Sequence, residues 1–388
     1  MATEKSGSSD RARPRRLDRL PEQYFASLLA RVAAAAADGG PPVVDLGRGN
    51  PEVGPPPHVV EALREAAGRD DEHGYAPFRG LPRLREAITR RYATLYGVEL
   101  DPEREVAVVP GTKTAIVELA LALAERGQTI LLPDPYYPDY PSGIALAGAA
   151  MGLVPLDPAA GWQPDLERAP AAAALFLNFP SNPCAVCAAP GVFGAAVEYA
   201  NRTGTSVVHD AAYADLVFDG RAPESFLATP GAKEIGVELW SMSKTYGMAG
   251  WRIGFVVGNA DIVERLNLLG DHARVGMLAA LQHAAIAALE GPQDSVAERR
   301  ATYERRRDEL AAALPEPPVC EGSFYVWLRL PAGLTPDRLL TDHRVALAPG
   351  EGFGPSGTGW ARLSLAVTDE TFDRGVERLA PVLEAAYA

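Results

Sequence analysis

A lysine set among hydroxyls and followed by an arginine is the most chemically pointed feature of the sequence. Lys244 stands in Ser241-Met242-Ser243-Lys244-Thr245-Tyr246-Gly247-Met248-Ala249-Gly250-Trp251-Arg252, between two apolar runs. Schiff-base chemistry requires an amine that gives up its proton readily, through desolvation or a nearby cation. Ser241, Ser243 and Arg252 add donors suited to a phosphate dianion, Arg252 as a two-pronged fork. A carboxylate follows another apolar run in Val207-Val208-His209-Asp210-Ala211-Ala212-Tyr213. Ligands of open α/β sheets bind at strand ends, so Asp210 is placed to pair with a pyridinium N–H and keep such a ring electron-withdrawing. Tyr213 is a donor for a ring hydroxylate. Taken alone, Asp210 reads equally well as the cap of a helix starting at Ala211. Asn178-Phe179-Pro180-Ser181-Asn182-Pro183 presents the Asn182 amide from a proline-fixed turn. In Val108-Val109-Pro110-Gly111-Thr112-Lys113-Thr114 a strand passes into a helix whose first N–H groups suit a phosphate oxygen.

These residues need strands to end beside one another. Short apolar runs at Glu105 to Val109, Thr129 to Leu132, Ala174 to Asn178, Ser206 to His209, Val237 to Ser241 and Ile253 to Val257 read as strands buried on both faces, as in a parallel sheet. Helical stretches lie between them, including Thr114 to Ala124. Pro21 to Ala37 reads as an accessory helix and Ile262 to Glu290 as helical. Ala297 to Leu314 reads as a helix whose charges form a solvated face. After the prolines at 315, 317 and 318, Phe324 to Leu330, Val345 to Ala348 and Ala361 to Ala366 read as strands and Thr371 to Ala386 as a last helix. The expected organisation is an N-terminal arm over residues 1–20, a helix and linker over 21–45, a large α/β domain over 46–290 and a smaller α+β domain over 291–388.

A chain of 388 residues with 47% hydrophobic and 22% charged residues is an ordinary globular composition with material for more than one packed unit. Its net charge of −13 repels phosphate backbones and anionic membranes, so neither nucleic acid nor membrane is an expected partner. Three cysteines, Cys184, Cys187 and Cys320, are too few for a disulfide framework and fit a reducing cytoplasm. Arg11, Arg13, Arg15 and Arg16 precede no apolar h-region. The run from Val32 to Ala37 is far below the roughly 20 residues of a membrane helix.

Together these motifs resemble the fold-type I, class I/II pyridoxal-phosphate aminotransferases over about residues 43 to 386. The likeness is strongest to the alanine and LL-diaminopimelate aminotransferase branch, through Leu46-Gly47-Arg48-Gly49-Asn50-Pro51, Ser181-Asn182-Pro183 and Met248-Ala249-Gly250-Trp251-Arg252-Ile253-Gly254-Phe255. The resemblance implies a large, mostly parallel-sheet domain and a smaller α+β C-terminal domain, with pyridoxal 5'-phosphate as cofactor and an α-amino acid and a 2-oxo acid as substrates. It implies that Lys244 forms the Schiff base and moves the proton, that Asp210 pairs with the ring nitrogen, and that Asn182 and Tyr213 contact the ring hydroxyl. Tyr137 matches the stacking aromatic, and Thr112, Lys113, Ser241, Ser243 and Arg252 match phosphate-binding positions. Tyr75, in Gly74-Tyr75-Ala76-Pro77-Phe78-Arg79-Gly80, matches a tyrosine that reaches the neighbouring subunit's phosphate, which implies a homodimer. Arg362 matches the arginine that clamps the substrate α-carboxylate.

The sequence departs from the family pattern at Cys184, where threonine is usual, and at Arg274 in Asp271-His272-Ala273-Arg274-Val275-Gly276-Met277. A guanidinium there suits an acidic or phosphorylated substrate, and equally a pairing with a nearby carboxylate. Tyr136, Asp139, Tyr140 and Arg79 neighbour the expected site without naming a substrate. The CxxC spacing of Cys184 and Cys187 reads as incidental rather than metal-binding or redox. A second functional reading is a pyridoxal-phosphate enzyme of β- or γ-elimination, replacement, cyclisation or carbon–carbon bond formation. A ligand-sensing regulator would need a DNA-binding domain, for which the roughly 40 residues ahead of the motifs leave little room.

Overall fold

A computed structural model describes Pro14 and residues 16–387, so the expected arm falls outside the described residues at 1–13 and 15. Helix α1 (Tyr24–Ala37), strand β1 (Val44–Asp45), and helices α2 (Pro57–Ala67) and α3 (Pro82–Tyr96) precede the main sheet. That sheet is built from β2 (Val106–Val109), β3 (Thr129–Asp134), β4 (Ala150–Asp157), β5 (Gln163–Pro164), β6 (Ala174–Asn178), β7 (Ser206–Asp210), β8 (Gly236–Ser241) and β9 (Gly254–Gly258). Its order is β2-β9-β8-β7-β6-β3-β4-β5. Helices α4 (Thr112–Leu123), α5 (Tyr140–Ala147), α6 (Val192–Thr203), α7 (Ala232–Ile235), α8 (Met242–Thr245), α9 (Ala260–Ala273) and α10 (Ala279–Glu290) connect or follow these strands. This is the fold-type I α/β architecture with a mostly parallel sheet.

Strand alternation explains why both faces are apolar. Ala107, Val109, Phe176, Val208 and Leu239 pack with Ile116 and Leu119 of α4, Ile144 of α5 and Ile262 of α9. Their strand neighbours Val106, Val108, Leu175, Leu177 and Val207 pack on the other face with Ile88 and Tyr92 of α3 and Val197 of α6. Burying each large aliphatic side chain contributes about 1.5–3 kcal/mol, so the strand ends are held by a core on each side of the sheet. The remaining elements are α11 (Asp294–Ala313), β10 (Tyr325–Arg329), α12 (Pro336–His343), β11 (Val345–Ala346), β12 (Ala348–Pro349), β13 (Trp360–Ser364) and α13 (Asp369–Tyr387). β10, β13 and β12 form an antiparallel sheet, and β1 pairs in parallel with β11.

Four expectations are corrected. The run Ile253 to Val257 becomes β9, which is antiparallel to both β8 and β2. The chain turns back after β8, so the Lys244 loop and Arg252 stay at one edge of the sheet. The stretch Ile262 to Glu290 is two helices, because Arg274 is extended (φ −145°, ψ 145°) and Gly276 is left-handed (φ +64°), where a Cβ would sit 2.7 Å from the Ala76 carbonyl oxygen. Val345 to Ala348 divides into β11 and β12, which belong to different sheets. The charges of α11 are not all solvated: Arg299 and Arg306 are buried. Arg306 donates to Glu52 at 2.8 Å, to the Leu365 carbonyl at 2.7 Å and to Asp369 at 3.0 Å.

Candidate active site

The carboxyl ends of β6, β7 and β8 open into a cavity of about 420 Å³. Parallel strands deliver their last residues to one edge, and here those residues are Asn178 from β6, Asp210 from β7 and Ser241 from β8. Of the residues singled out from sequence, Thr112, Lys113, Tyr137, Asn182, Asp210, Tyr213, Ser241, Ser243, Lys244 and Arg252 all line this one cavity.

Asp210 is buried, and its two oxygens are separately engaged. Tyr140 donates its hydroxyl to Oδ2 at 2.8 Å, and the Ala212 N–H donates to Oδ1 at 3.1 Å. No helix begins at Ala211, since residues 212–215 form a turn that the Ala212 contact closes, so the helix-cap reading is corrected and Asp210 lines the cavity. Burial pushes its carboxyl above the usual carboxylate range, while the Tyr140 hydroxyl, the Ala212 N–H, His209 and Lys244 act the other way. The Lys244 amine lies 3.4 Å from the Gly49 carbonyl oxygen and 5.4 Å from the centre of the Phe324 ring. Desolvation, then Arg362 and Arg252, lower its pKa to about 8. An amine of this kind is neutral, hence nucleophilic, in about a tenth of molecules at pH 7 and about half at pH 8.

Arg362 is fully buried directly behind the cavity. It donates to Asn182 Oδ1 at 2.8 Å and to the Gly47 carbonyl at 3.1 Å, and its guanidinium carbon sits 3.8 Å from the centre of the Tyr325 ring. Its Nε has no partner in the protein, which leaves a donor for an anion. Asn182 is fixed in turn: its N–H donates to Asn178 Oδ1 at 2.7 Å, and the Asn178 amide donates to the Asp210 carbonyl at 2.8 Å. At the other end of the cavity, Ser241 caps α8 by accepting the Ser243 N–H at 3.2 Å. Arg252 is left-handed (φ +56°) and donates to the Ala249 carbonyl at 2.7 Å. Gly111 (φ +82°) makes room for it, since a Cβ there would sit 2.4 Å from the Arg252 Nη2.

Sequence reasoning missed several contributors. Phe25, Leu28 and Leu29 of α1 and Tyr325 of β10 form cavity wall, although nothing in their local pattern distinguishes them from core. Asp139 ties α1 to the site: it accepts Gln23 Nε2 at 2.7 Å, the Tyr137 hydroxyl at 2.6 Å and the Lys113 amine at 3.0 Å. Tyr140 is buried on Asp210 rather than facing a substrate, and Arg79 is paired with Glu264 and Asp271.

Three expected residues are not among those lining the cavity: Arg362, already described behind it, Tyr75 and Arg274. Tyr75 is 87% exposed. The guanidinium of Arg274 is taken up by Glu118 of α4, through Nε and Nη2 at 3.0 Å each, and by the Val108 carbonyl at 2.9 Å. Both partners of this ion pair are largely buried, so the carboxylate pairing is the one found. Arg274→Ala is expected to lower stability by about 3 kcal/mol, because it leaves the Glu118 carboxylate buried without a counter-charge. Thermal unfolding reads the loss, and unchanged KM values for acidic and neutral substrates would accompany it. Cys184 and Cys187 are free thiols, and no cluster of metal-ligating side chains occurs among the described residues.

A family model for aminotransferase class I and II matches residues 41–379. This chain belongs to that family. Class I and II aminotransferases use pyridoxal 5'-phosphate to pass an amino group between an α-amino acid and a 2-oxo acid, and this chain is such an enzyme. It is 43% identical over 376 residues to the L-glutamine–4-(methylsulfanyl)-2-oxobutanoate aminotransferase of Bacillus subtilis, covering 94% of each chain. It is 41% identical over 366 residues to the glutamate-pyruvate aminotransferase AlaC of Escherichia coli, covering 90% of this chain and 89% of the relative. The substrate-bound structure of BacF from Bacillus subtilis superposes with a TM-score of 0.90 at 36% identity, covering 96% of this chain and 98% of the other. These comparisons give no support to the elimination or carbon–carbon bond-forming reading. The aminotransferase cavity also fits the cofactor on its own chemistry: a lowered-pKa amine, a buried carboxylate, and an Arg252 made accessible by the bare α-carbon of Gly111.

Among the described residues no helix is long and apolar enough to cross a membrane.

Proposed function

We propose that Lys244 is the attachment point of pyridoxal phosphate in this aminotransferase and that its side chain carries the proton to and from the substrate Cα. The observation that carries this reading is the lysine of lowered pKa, about 8, lining the same cavity as the buried Asp210. When bound, the cofactor supplies an electron-withdrawing ring that stabilises negative charge at that carbon. Asp210 holds the ring N–H, Asn182 and Tyr213 hold the ring hydroxyl, and Tyr137 covers a ring face. The phosphate is taken by Arg252, by the hydroxyls of Ser241 and Ser243, and by the N–H groups of Thr112 and Lys113 at the start of α4. Arg362 grips the substrate α-carboxylate, and the unpartnered Nε supports that role. Phe25, Leu28 and Leu29 favour a neutral amino-acid side chain.

The working unit in this reading is a cytoplasmic homodimer in which Tyr75 reaches the partner's phosphate site. Tyr75, Phe78, Val275 and Leu278 are exposed apolar residues, and their two segments run close together at Gly276, where a Cβ would meet the Ala76 carbonyl oxygen at 2.7 Å. The free thiols support a reducing compartment.

The purified protein should be yellow, bind one pyridoxal phosphate per chain and elute as a dimer. A panel of amino acids should convert the bound cofactor to its pyridoxamine form. A colourless protein that takes up no pyridoxal phosphate would overturn the reading. The Lys244 amine also sets a pH dependence. It is protonated below about pH 8 and neutral above it, so covalent capture of pyridoxal phosphate by the apoprotein is expected to accelerate as pH rises through about 8 and then level off. Stopped-flow absorbance measures this, and a midpoint near that of free lysine would contradict it.

A further inference from the structure

His209 precedes Asp210 on β7, and strand alternation sends the two side chains to opposite faces of the sheet. Asp210 faces the cavity, whereas His209 is fully buried on the other side, against the rings of Phe193 at 4.9 Å and Phe226 at 6.3 Å. Its Nδ1 is 2.8 Å from Glu238 Oε2 and its Nε2 is 3.1 Å from the Phe179 carbonyl oxygen. That carbonyl can only accept. Glu238, also fully buried, accepts from the Tyr92 hydroxyl at 2.6 Å, the Ser225 hydroxyl at 3.0 Å and the Phe226 N–H at 2.9 Å. With every other neighbour donating, Glu238 is an acceptor toward the imidazole too.

We infer that His209 is a doubly protonated, positively charged positioning residue that keeps Asp210 ionised and joins the strand ends forming the cofactor site. His209 and Glu238 are cross-strand partners in the β7–β8 register. The Phe179 carbonyl begins the turn from β6 that delivers Asn182. One ring thus joins the strands that supply Asn182, Asp210 and the Lys244 loop, and the donors around Glu238 make the buried ion pair sustainable. The groups facing Asp210 are Tyr140 from α5, Tyr137 just ahead of it, the Ala212 N–H, Lys244 from α8 and His209 on its own strand. Loss of the imidazolium raises the proton affinity of Asp210 further. More Asp210 is then neutral at a given pH, and the ring N–H loses its anionic partner first at the acid end.

This inference rests on Asp210 facing the ring nitrogen. Apoprotein carrying His209→Gln is titrated with pyridoxal phosphate from about pH 6.5 to about pH 8.5, beside wild type and Asp210→Asn. The expected result is a Kd raised roughly tenfold at the acid end of that range, with the factor growing toward low pH. An unchanged Kd, or an increase equal at every pH, overturns the inference. If Asp210→Asn binds like wild type, the Asp210 assignment falls and the inference with it. If Asp210→Asn weakens binding and His209→Gln does not, only the inference falls. Should His209→Gln not fold, nitrogen NMR of ¹⁵N-histidine-labelled wild type decides: both His209 nitrogens should give imidazolium shifts at about pH 7.5, and a neutral-ring pattern overturns the inference.

Discussion

Lys244→Ala should lower transamination by on the order of 10⁴-fold or more, because in the proposed role one side chain supplies both the covalent hold on the cofactor and the proton carrier at Cα. Borohydride treatment, which fixes pyridoxal phosphate to wild type, should leave none on the variant by mass spectrometry. The variant should still bind the cofactor without a covalent bond, since Arg252, Asp210 and Tyr137 are untouched. Its Tm should not fall. Desolvation is the first cause of the lowered Lys244 pKa, so placing a charged amine in the cavity is unfavourable to the fold. A variant with near wild-type turnover, or one that retains cofactor after borohydride, would remove Lys244 from its role.

Arg362→Lys is expected to lower kcat/KM by about 100-fold or more, mostly through KM for the amino acid. A planar fork is needed to donate to Asn182 Oδ1 and the Gly47 carbonyl while keeping a donor free and lying 3.8 Å over the Tyr325 ring. An ammonium is a point charge that meets only part of this geometry, and the rest is left unpaired in a buried place. The lysine-linked absorption band should survive, because Arg362 touches the cavity wall through Asn182, Gly47 and Tyr325 and bonds neither Lys244 nor Asp210, and a lysine in its place keeps the positive charge. Steady-state kinetics with a spectrum of the resting protein separates the two effects. Equal losses in cofactor binding and in KM would show that the residue supports the whole cavity rather than the substrate.

The site was legible in sequence where a short apolar run ends abruptly in a polar residue. Asn178, Asp210 and Ser241 are the last residues of β6, β7 and β8, and the break in hydrophobicity marks both the strand end and the cavity edge. Parts assembled from afar were not legible. Phe25, Leu28 and Leu29 follow the same helical spacing whether α1 covers core or cavity, and only the tertiary path places them on the cavity. The pairing of Arg274 with Glu118 joins residues 156 apart in sequence, and the helix break beside it follows from that contact and from Gly276. The direction of β9 was hidden because a strand buried on both faces looks alike in either orientation. Arg306 read as surface because a charge on a helix is ordinarily solvated, and its buried partners Glu52 and the Leu365 carbonyl come from other parts of the chain.

Because neighbouring positions on β7 point to opposite sides, slipping that strand by a single place would put His209 or Ala211, depending on the direction, where Asp210 faces the cavity. Such a molecule would keep its helices and its overall circular dichroism, yet lack a carboxylate at the point where the proposed reading docks an electron-poor ring. The yield of cofactor-competent chains after refolding is therefore a direct gauge of how faithfully this strand finds its place.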